Sequence, residues 1–591
     1  MASWLAGPGD DPWSRPLFAA DEEDAGGGGR RDASECHEVN GIGAHRFKGA
    51  DYAVFAAILS ISIFIGLYVG FFRGRIRTAS AFLVGNRSMH FLPVALSMIL
   101  GHSSAVVMLG NPAEMYNYGV LLYVLSFAFL VGGPLATALF LPVYENLRIT
   151  SVNELMSNGL VLYAPSLALA QVTNMNVYVI VGIVFGVCVF YASVGGIKAI
   201  VWSDTLMFVI LLVTMAALII RGTGLDGGVA TVWSDSLQTG RLEMFRNDPS
   251  IAERYTFWSV FFGGIFYWVG LTAMNQASVQ RLLTMPNYKE ATKLTGGVGG
   301  HFALIRNSRI HRCIWLTAVG NIVISSALFY LGMMLYSSYK HCDPISAKMI
   351  KRSDQLLPLY VMDVMHSFPG VPGLFVASIF STSIGSVAAM LNGMAAVTLR
   401  DFIIGVLHRD LTDIQAGTIS KILSFCYGIA SVAFLVVMSR TGSMVEVVNY
   451  SSQRGHFWGT SVAVHDGRIV YDLLPISVDG CLCNATIAAP KSASGPVLPI
   501  FLISTMWYSP IGFVIFLIAS IILSGITGFQ DPRDLDQSLL SPVAKWLFNK
   551  LPPSVRTRLR LPIYESQERE MTSTIDDGVS KKKKKTYDIR L

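Results

Sequence analysis

Residues 93–119 read PVALSMILGHSSAVVMLGNPAEMYNYG, an apolar run with a polar knot, LGHSSA, at 100–105. A straight helix facing lipid gains nothing from Gly, His and two serines at its middle. A helix that unwinds there exposes carbonyl oxygens, and unwound backbone at membrane depth is tolerated only where it lines protein or a water-filled cavity. In transporters such breaks hold coupling ions. Close helix packing explains Gly101, Ser103 and Ser104 equally well. It leaves His102 without a reason, and an ionisable residue within a span points to function by default.

The wider composition agrees with a membrane setting. Of 591 residues, 52% are hydrophobic and 14% charged, against about 25% charged in soluble proteins. The apolar residues come in blocks of about 18 or more, long enough to cross a hydrocarbon layer roughly 30 Å thick. Reading the blocks gives about eleven spans: 50–72, 90–110, 118–143, 159–171, 174–195, 199–221, 255–278, 313–337, 369–397, 416–438 and 506–528. The block 159–171 is too short to cross unaided. The class is all-α and polytopic.

Basic residues set the orientation, because cytoplasmic loops carry the excess of Lys and Arg. Arg73, Arg75, Arg77 and Arg87 follow the first span, and Arg281, Lys289, Lys293, Arg306, Arg309 and Arg312 follow 278. Lys545, Lys550 and the run Lys581–Lys585 lie in the tail. With all three inside, the N-terminus is outside and the C-terminus cytoplasmic. Residues 1–49 are then a disordered extracellular arm without an apolar signal region, so the first span is expected to serve as its own insertion signal. A transmembrane core fills 50–438, an extracellular loop 439–505, a last helix 506–528 and a basic cytoplasmic tail 529–591. Lys581–Lys585 is a solvated tail that enforces orientation, or a lipid-binding patch worth about 1 kcal/mol per charge. Sequons at Asn484 and Asn449 fall in the outer segment, whereas Asn86 falls inside. A disulfide from Cys481 or Cys483 to Cys342 is open to the chain if both loops face outside.

Two further places carry polar groups. In 374–401, Ser378, Ser381, Thr382, Ser383 and Ser386 recur at helical spacing, and Thr382 and Ser386 share a face. Neutral hydroxyls with carbonyls suit a monovalent cation that must later leave, by extension from the oxygen ligands of hard cations; small-residue packing is the alternative. The stretch GGIKAIVWSD at 195–204 wedges Asp204 at the start of an apolar helix. There it is either a partner of the helix dipole, worth about 0.3–1 kcal/mol, or an acid that draws a departing cation. No metal cluster, nucleophile–base constellation, phosphate loop or nucleic-acid-binding pattern is legible, which disfavours an enzyme.

The chain resembles the sodium:solute symporters, in the branch of the sodium-coupled monocarboxylate, multivitamin and iodide transporters. The residues that carry this are GNPAEMYNYG (110–119), VLYAPSLALAQVT (161–173), YASVGGIKAIVWSD (191–204), MNQASVQR (274–281), CDP (342–344), SDQLLP (353–358), NGMAAVTLRDFI (392–403), LPISVDGC (474–481) and WYSPIGF (507–513). The resemblance implies a LeuT-type fold of two inverted five-helix repeats with flanking helices. It also implies uptake of a small anion at the plasma membrane by alternating access, with Na+ as coupling ion and no organic cofactor. Sodium would be held by the carbonyls of Leu100, Ser103 and Thr382 and the hydroxyl of Ser386. A neighbouring hydroxyl is usual in the family, but Gly385 stands there. Asp204 matches the acid on the inward sodium exit path. The cavity would be lined by His102, Val107, Leu125, Ser126, Phe129 and Trp268. Val107 replaces the glutamine of sugar-carrying relatives, and His102 replaces an apolar aromatic.

The chain also departs from the family. Between VNELM (152–156) and NGLVLYAP (158–165) the family has further residues, and after SMVEVV (443–448) it has two more membrane helices. Extra sequence lies at 299–311. The fold is therefore expected to lack about two spans and part of a third. That leaves an alternative: a transport-deficient splice variant or faulty gene model, acting, if at all, as a non-transporting membrane partner.

Overall fold

The computed structural model describes residues 46–72, 77–140, 173, 177–248, 250–286, 309–350, 352–408, 411–440, 473–481, 503–527 and 542–558. The expected span at 159–171, both outer sequons, the N-terminal arm to residue 45 and Lys581–Lys585 lie outside these residues.

Helix α1, Gly49–Leu67, runs on as a π-helical turn to Phe72. Helices α2 (Ala79–Val84) and α3 (Phe91–His102) are joined by a sharp bend of 108°. Helix α4, Ala105–Tyr118, follows α3 after a two-residue gap. Then come α5 (Val124–Leu139), α6 (Val177–Leu225) and the short α7 (Val229–Gln238). Helix α8, Phe257–Val269, loosens into a π turn, Gly270–Met274, stops at extended Asn275, and resumes as α9, Gln276–Leu283. The remaining helices are α10 (Arg309–Tyr339), α11 (Leu356–Met365), α12 (Val371–Val397), α13 (Asp413–Arg440), α14 (Tyr508–Thr527), α15 (Pro542–Lys550) and α16 (Pro553–Arg558).

Among the described residues, seven helices are long and apolar enough to cross a membrane, or eight counting the bent pair. The difference from the sequence reading has physical causes. The expected second span is two half-helices, each too short alone. The expected spans 174–195 and 199–221 run together as α6, interrupted only at Gly196, with φ 54° and ψ −166°. A Cβ there would lie 2.7 Å from the Phe82 carbonyl oxygen, so glycine is needed for both conformation and space. The expected span 255–278 contains a second break, at Asn275, that the apolar pattern hid.

Helix α12 is the axis of the bundle, and nearly every residue from Phe375 to Val397 is buried. It packs on α1, α6 and α13. Its N-terminus is held from outside the helix: Asp51 of α1 accepts the backbone N–H of Gly370 at 2.9 Å and of Gly373 at 3.3 Å. A carboxylate there satisfies orphan donors and complements the positive helix end. Helix α14, by contrast, is exposed along its apolar length, as lipid-facing helix should be.

One end of the bundle is strapped. Cys342 is bonded to Cys481, with Cα atoms 4.9 Å apart. Leu474 N–H donates to the Asn117 carbonyl, Asp343 N–H to Ser477, and Gly480 N–H to His341. Fully buried Arg241 donates to the carbonyls of Tyr116 (3.0 Å) and Pro475 (2.9 Å) and stacks 3.5 Å over the Tyr336 ring.

Candidate functional site

The break in the second span is real. The backbone ladder of α3 closes with Ser103 N–H to the Ile99 carbonyl at 2.9 Å, and that of α4 opens with Met108 N–H to Ser104 at 2.9 Å. Between them the carbonyls of Leu100, Gly101, His102 and Ser103 are released from the i→i+4 pattern. Ser103 sits at φ −94°, ψ 57°, outside the helical region. Leu100, His102 and Ser103 are all buried, so the freed oxygens lie within protein.

Across the bundle, the Ser386 hydroxyl donates to the Thr382 carbonyl at 2.9 Å, which brings those two expected sodium-binding groups together. The Thr382 hydroxyl turns away to the Ile379 carbonyl. Ser381 and Ser383 are buried, and their hydroxyls have no partner among the described residues.

A buried ion pair connects the broken helix to α12. Arg281 Nη2 lies 3.2 Å from Asp204 Oδ2, and both side chains are 3% exposed. Ser97 of α3 donates to the same Oδ2 at 2.6 Å and accepts from Arg281 Nε at 2.9 Å. Two glycines make room for the pair. A Cβ at Gly101 would lie 2.7 Å from Arg281 Nη1, and one at Gly385 would overlap Asp204 Oδ1. Two sequence expectations are corrected here. Asp204 lies eight positions past the Gly196 kink (204 − 196), so it does not cap a helix start. Arg281, counted among basic loop residues, is buried inside the bundle because the carboxylate holds it there.

The expected cavity residues form an aromatic wall beside the break. The His102 ring lies 5.6 Å from Phe129 and 5.2 Å from Trp268, and Phe129 lies 4.7 Å from Trp268, all edge to face. Trp268 Nε1 donates to the Leu125 carbonyl at 2.8 Å, which fixes the indole. Asn321 Nδ2 lies 3.2 Å from His102 Nδ1. The amide donates, so Nδ1 accepts and the ring proton belongs on Nε2. That Nε2 is buried with no hydrogen-bond partner among the described residues. Such a group gains most from a ligand oxygen. Ser126 is buried one residue beyond Leu125, and Val107 packs on the other apolar cluster, with α4 and α10, rather than on these rings.

Sequence reasoning missed Asn321, Ser97 and the break at Asn275. Asn275 had a signal: it opens NQASVQR, a polar stretch directly after an apolar run. Asn321 and Ser97 looked like ordinary small polar residues in helices.

Comparison with known proteins gives the following. The family model described as "Sodium:solute symporter family" matches residues 82–161 and 160–454. The sodium-coupled monocarboxylate transporter 2 of Mus musculus is 32% identical over 84% of this chain and 87% of its own length. The sodium-coupled monocarboxylate transporter 1 of Homo sapiens is 33% identical over 69% of this chain and 67% of its own. The sodium/iodide cotransporter of Homo sapiens is 34% identical over 68% and 62%. Among solved structures, a Na+-coupled sialic acid symporter in a substrate-bound outward-open state superposes with TM-score 0.59 at 18% identity, covering 81% of this chain and 98% of that one. At that identity the likeness is one of fold.

Proposed function

The chain belongs to the sodium:solute symporter family, with the LeuT-type architecture, and from that premise we propose that it carries a small anion with Na+ across the plasma membrane by alternating access. One observation carries the choice of an anion. His102 presents an unpartnered Nε2–H between Phe129 and Trp268, beside a break that frees four carbonyls. A neutral donor on an aromatic wall suits a small carboxylate or iodide-like ion with an apolar flank. The relatives named above are described as carriers of monocarboxylates and iodide, both anions. In this reading Leu100, Ser103, Thr382 and Ser386 hold sodium, and Asp204 stands on its inward exit. His102, Leu125, Ser126, Phe129, Trp268 and Val107 line the cargo path.

Inward release requires the Asp204–Arg281 pair to open, because it bridges α6, α9 and the broken helix. Parting a buried ion pair costs several kcal/mol unless the groups are rehydrated. Water entering from the cytoplasmic side supplies that rehydration, which fits a gate that opens only with its half of the path. The Cys342–Cys481 bond fits the opposite, oxidising side, with the basic connections inside and Asn484 and Asn449 as glycan acceptors outside.

The test is uptake of a panel of lactate-like acids, vitamin carboxylates such as pantothenate and biotin, and iodide, with and without Na+. Sodium-dependent uptake of one class supports the proposal, and sodium-independent uptake overturns it. One observation favours a second reading, a chain that does not transport: the two matched stretches meet at 160–161, next to the junction at 156–158 where the family has further residues. Normal surface expression with no Na+-driven current for any panel member decides for that reading.

A further inference from the structure

Relatives of this chain place a hydroxyl beside Ser386, and here that position is Gly385. Asp204 fills the space. A Cβ built on Gly385 would overlap Asp204 Oδ1 and lie 3.0 Å from its Cγ. A serine oxygen would stand one bond further out, in the volume the carboxylate already occupies. The two oxygens of Asp204 are differently engaged. Oδ2 takes the bonds from Ser97 and Arg281, while Oδ1 has no hydrogen bond among the described residues although the residue is 2% exposed. A buried carboxylate oxygen without a donor is costly and is the natural ligand of a hard cation.

We propose that Asp204 Oδ1 is a direct ligand of the coupling cation, replacing the side-chain oxygen that Gly385 cannot supply. The inference rests on the sodium site proposed above and completes it. The ligand set is then three carbonyls, the Ser386 hydroxyl and one carboxylate oxygen. Gly385 acts here as a gap that admits a charge from a neighbouring helix. Arg281 stays on Oδ2, so one carboxylate bridges the guanidinium and the cation. The site binds sodium through a group that also locks the inner path, which ties ion occupancy to the state of that lock.

The experiment is saturation binding of radiolabelled sodium to the purified full-length chain in detergent. Asp204→Asn alone leaves Arg281 as an unpaired buried cation and risks misfolding. The working variant is therefore the neutral pair Asp204→Asn/Arg281→Gln. Removing the Arg281 charge by itself favours a cation, so a loss of affinity in this variant reports on the carboxylate. The expected loss is about tenfold or more. Adding Gly385→Ser to it is expected to recover most of that loss, because the hydroxyl now has room and a role. Gly385→Ser in the otherwise unchanged chain is expected to weaken binding, since the two oxygens compete for one volume. Wild-type affinity in the neutral pair, or no recovery on adding Gly385→Ser, overturns the inference and leaves the sodium site standing. Failure of the unaltered chain to bind sodium takes down the site itself.

Discussion

Trp268 holds its ring 5.2 Å from His102 while its indole nitrogen is tied to the Leu125 carbonyl at 2.8 Å, so one side chain fixes both the wall and the backbone of the cavity. The two residues make separable contributions. His102→Ala removes the donor for the cargo and is expected to raise the apparent KM for the transported anion roughly tenfold, as loss of a hydrogen bond to a charged group does, with little change in maximal rate. Trp268→Phe keeps the ring and loses only the tether, about 1 kcal/mol, and should lower thermal stability more than it changes KM. Initial-rate uptake and detergent melting curves separate the two effects. Unchanged kinetics in His102→Ala removes His102 from the site.

Ser97 and Ser386 make a second contrast. The Ser97 hydroxyl bridges Asp204 and Arg281, so Ser97→Ala leaves two charged groups short of a partner, at a cost of about 1–3 kcal/mol. Ser386 donates only to a carbonyl of its own helix, a local bond that contributes little to helix stability. Ser386→Ala should therefore leave the melting temperature nearly unchanged and raise the sodium concentration for half-maximal uptake. A stability loss in Ser386→Ala matching that of Ser97→Ala would remove the distinction.

What the sequence shows depends on how far apart the partners lie. The break at 100–105 was legible because Gly, His and two serines interrupt an apolar run within a few residues. The face shared by Thr382 and Ser386 was legible for the same reason, since helical spacing is local. Arg281 and Asp204 are 77 residues apart, and each had a sufficient local explanation, a basic loop for one and a helix start for the other. Only packing shows that Gly101 and Gly385 are the notches that receive them. The break at Asn275 lay between, visible as a polar stretch but read as the end of a span. Arg241 had no sequence signal, because a lone arginine in a loop is normally a solvated one.

The strap predicts a stability effect remote from the site. The loop closed by Cys342 and Cys481 spans 139 residues, and loss of a disulfide commonly costs about 2–4 kcal/mol. Arg241→Ala removes two bonds to carbonyls and the stack on Tyr336, together about 2 kcal/mol or more. Both groups pin the segment 473–481 to the ends of α4 and α10, so the effects should be less than additive. Melting curves of Cys342→Ser, Arg241→Ala and the double variant measure this. Full additivity would mean that the two act on independent regions.

Acid should act oppositely on two carboxylates near this end. Burial raises the Asp226 carboxyl above its ordinary 3.8, against bonds from Ser338 and Tyr360. Burial also pushes Asp235 upward, but the bonds from Ser337 and Lys340 outweigh it and leave that carboxyl below 3.8. A raised folded value means the folded chain holds the proton more tightly, so the contribution of Asp226 grows as pH falls through that value and is complete below the unfolded one. A lowered value has the reverse sign. The contribution of Asp235 is present above its unfolded value and is lost only as pH falls below 3.8 toward its folded one. Asp226→Asn should therefore gain stability over the unaltered chain at pH about 7 and lose that gain as pH falls toward about 4.5. Asp235→Asn should lose stability throughout that window. Melting temperatures across the range test both, and a pH-independent offset for Asp226→Asn would show that its burial is not what sets its ionisation.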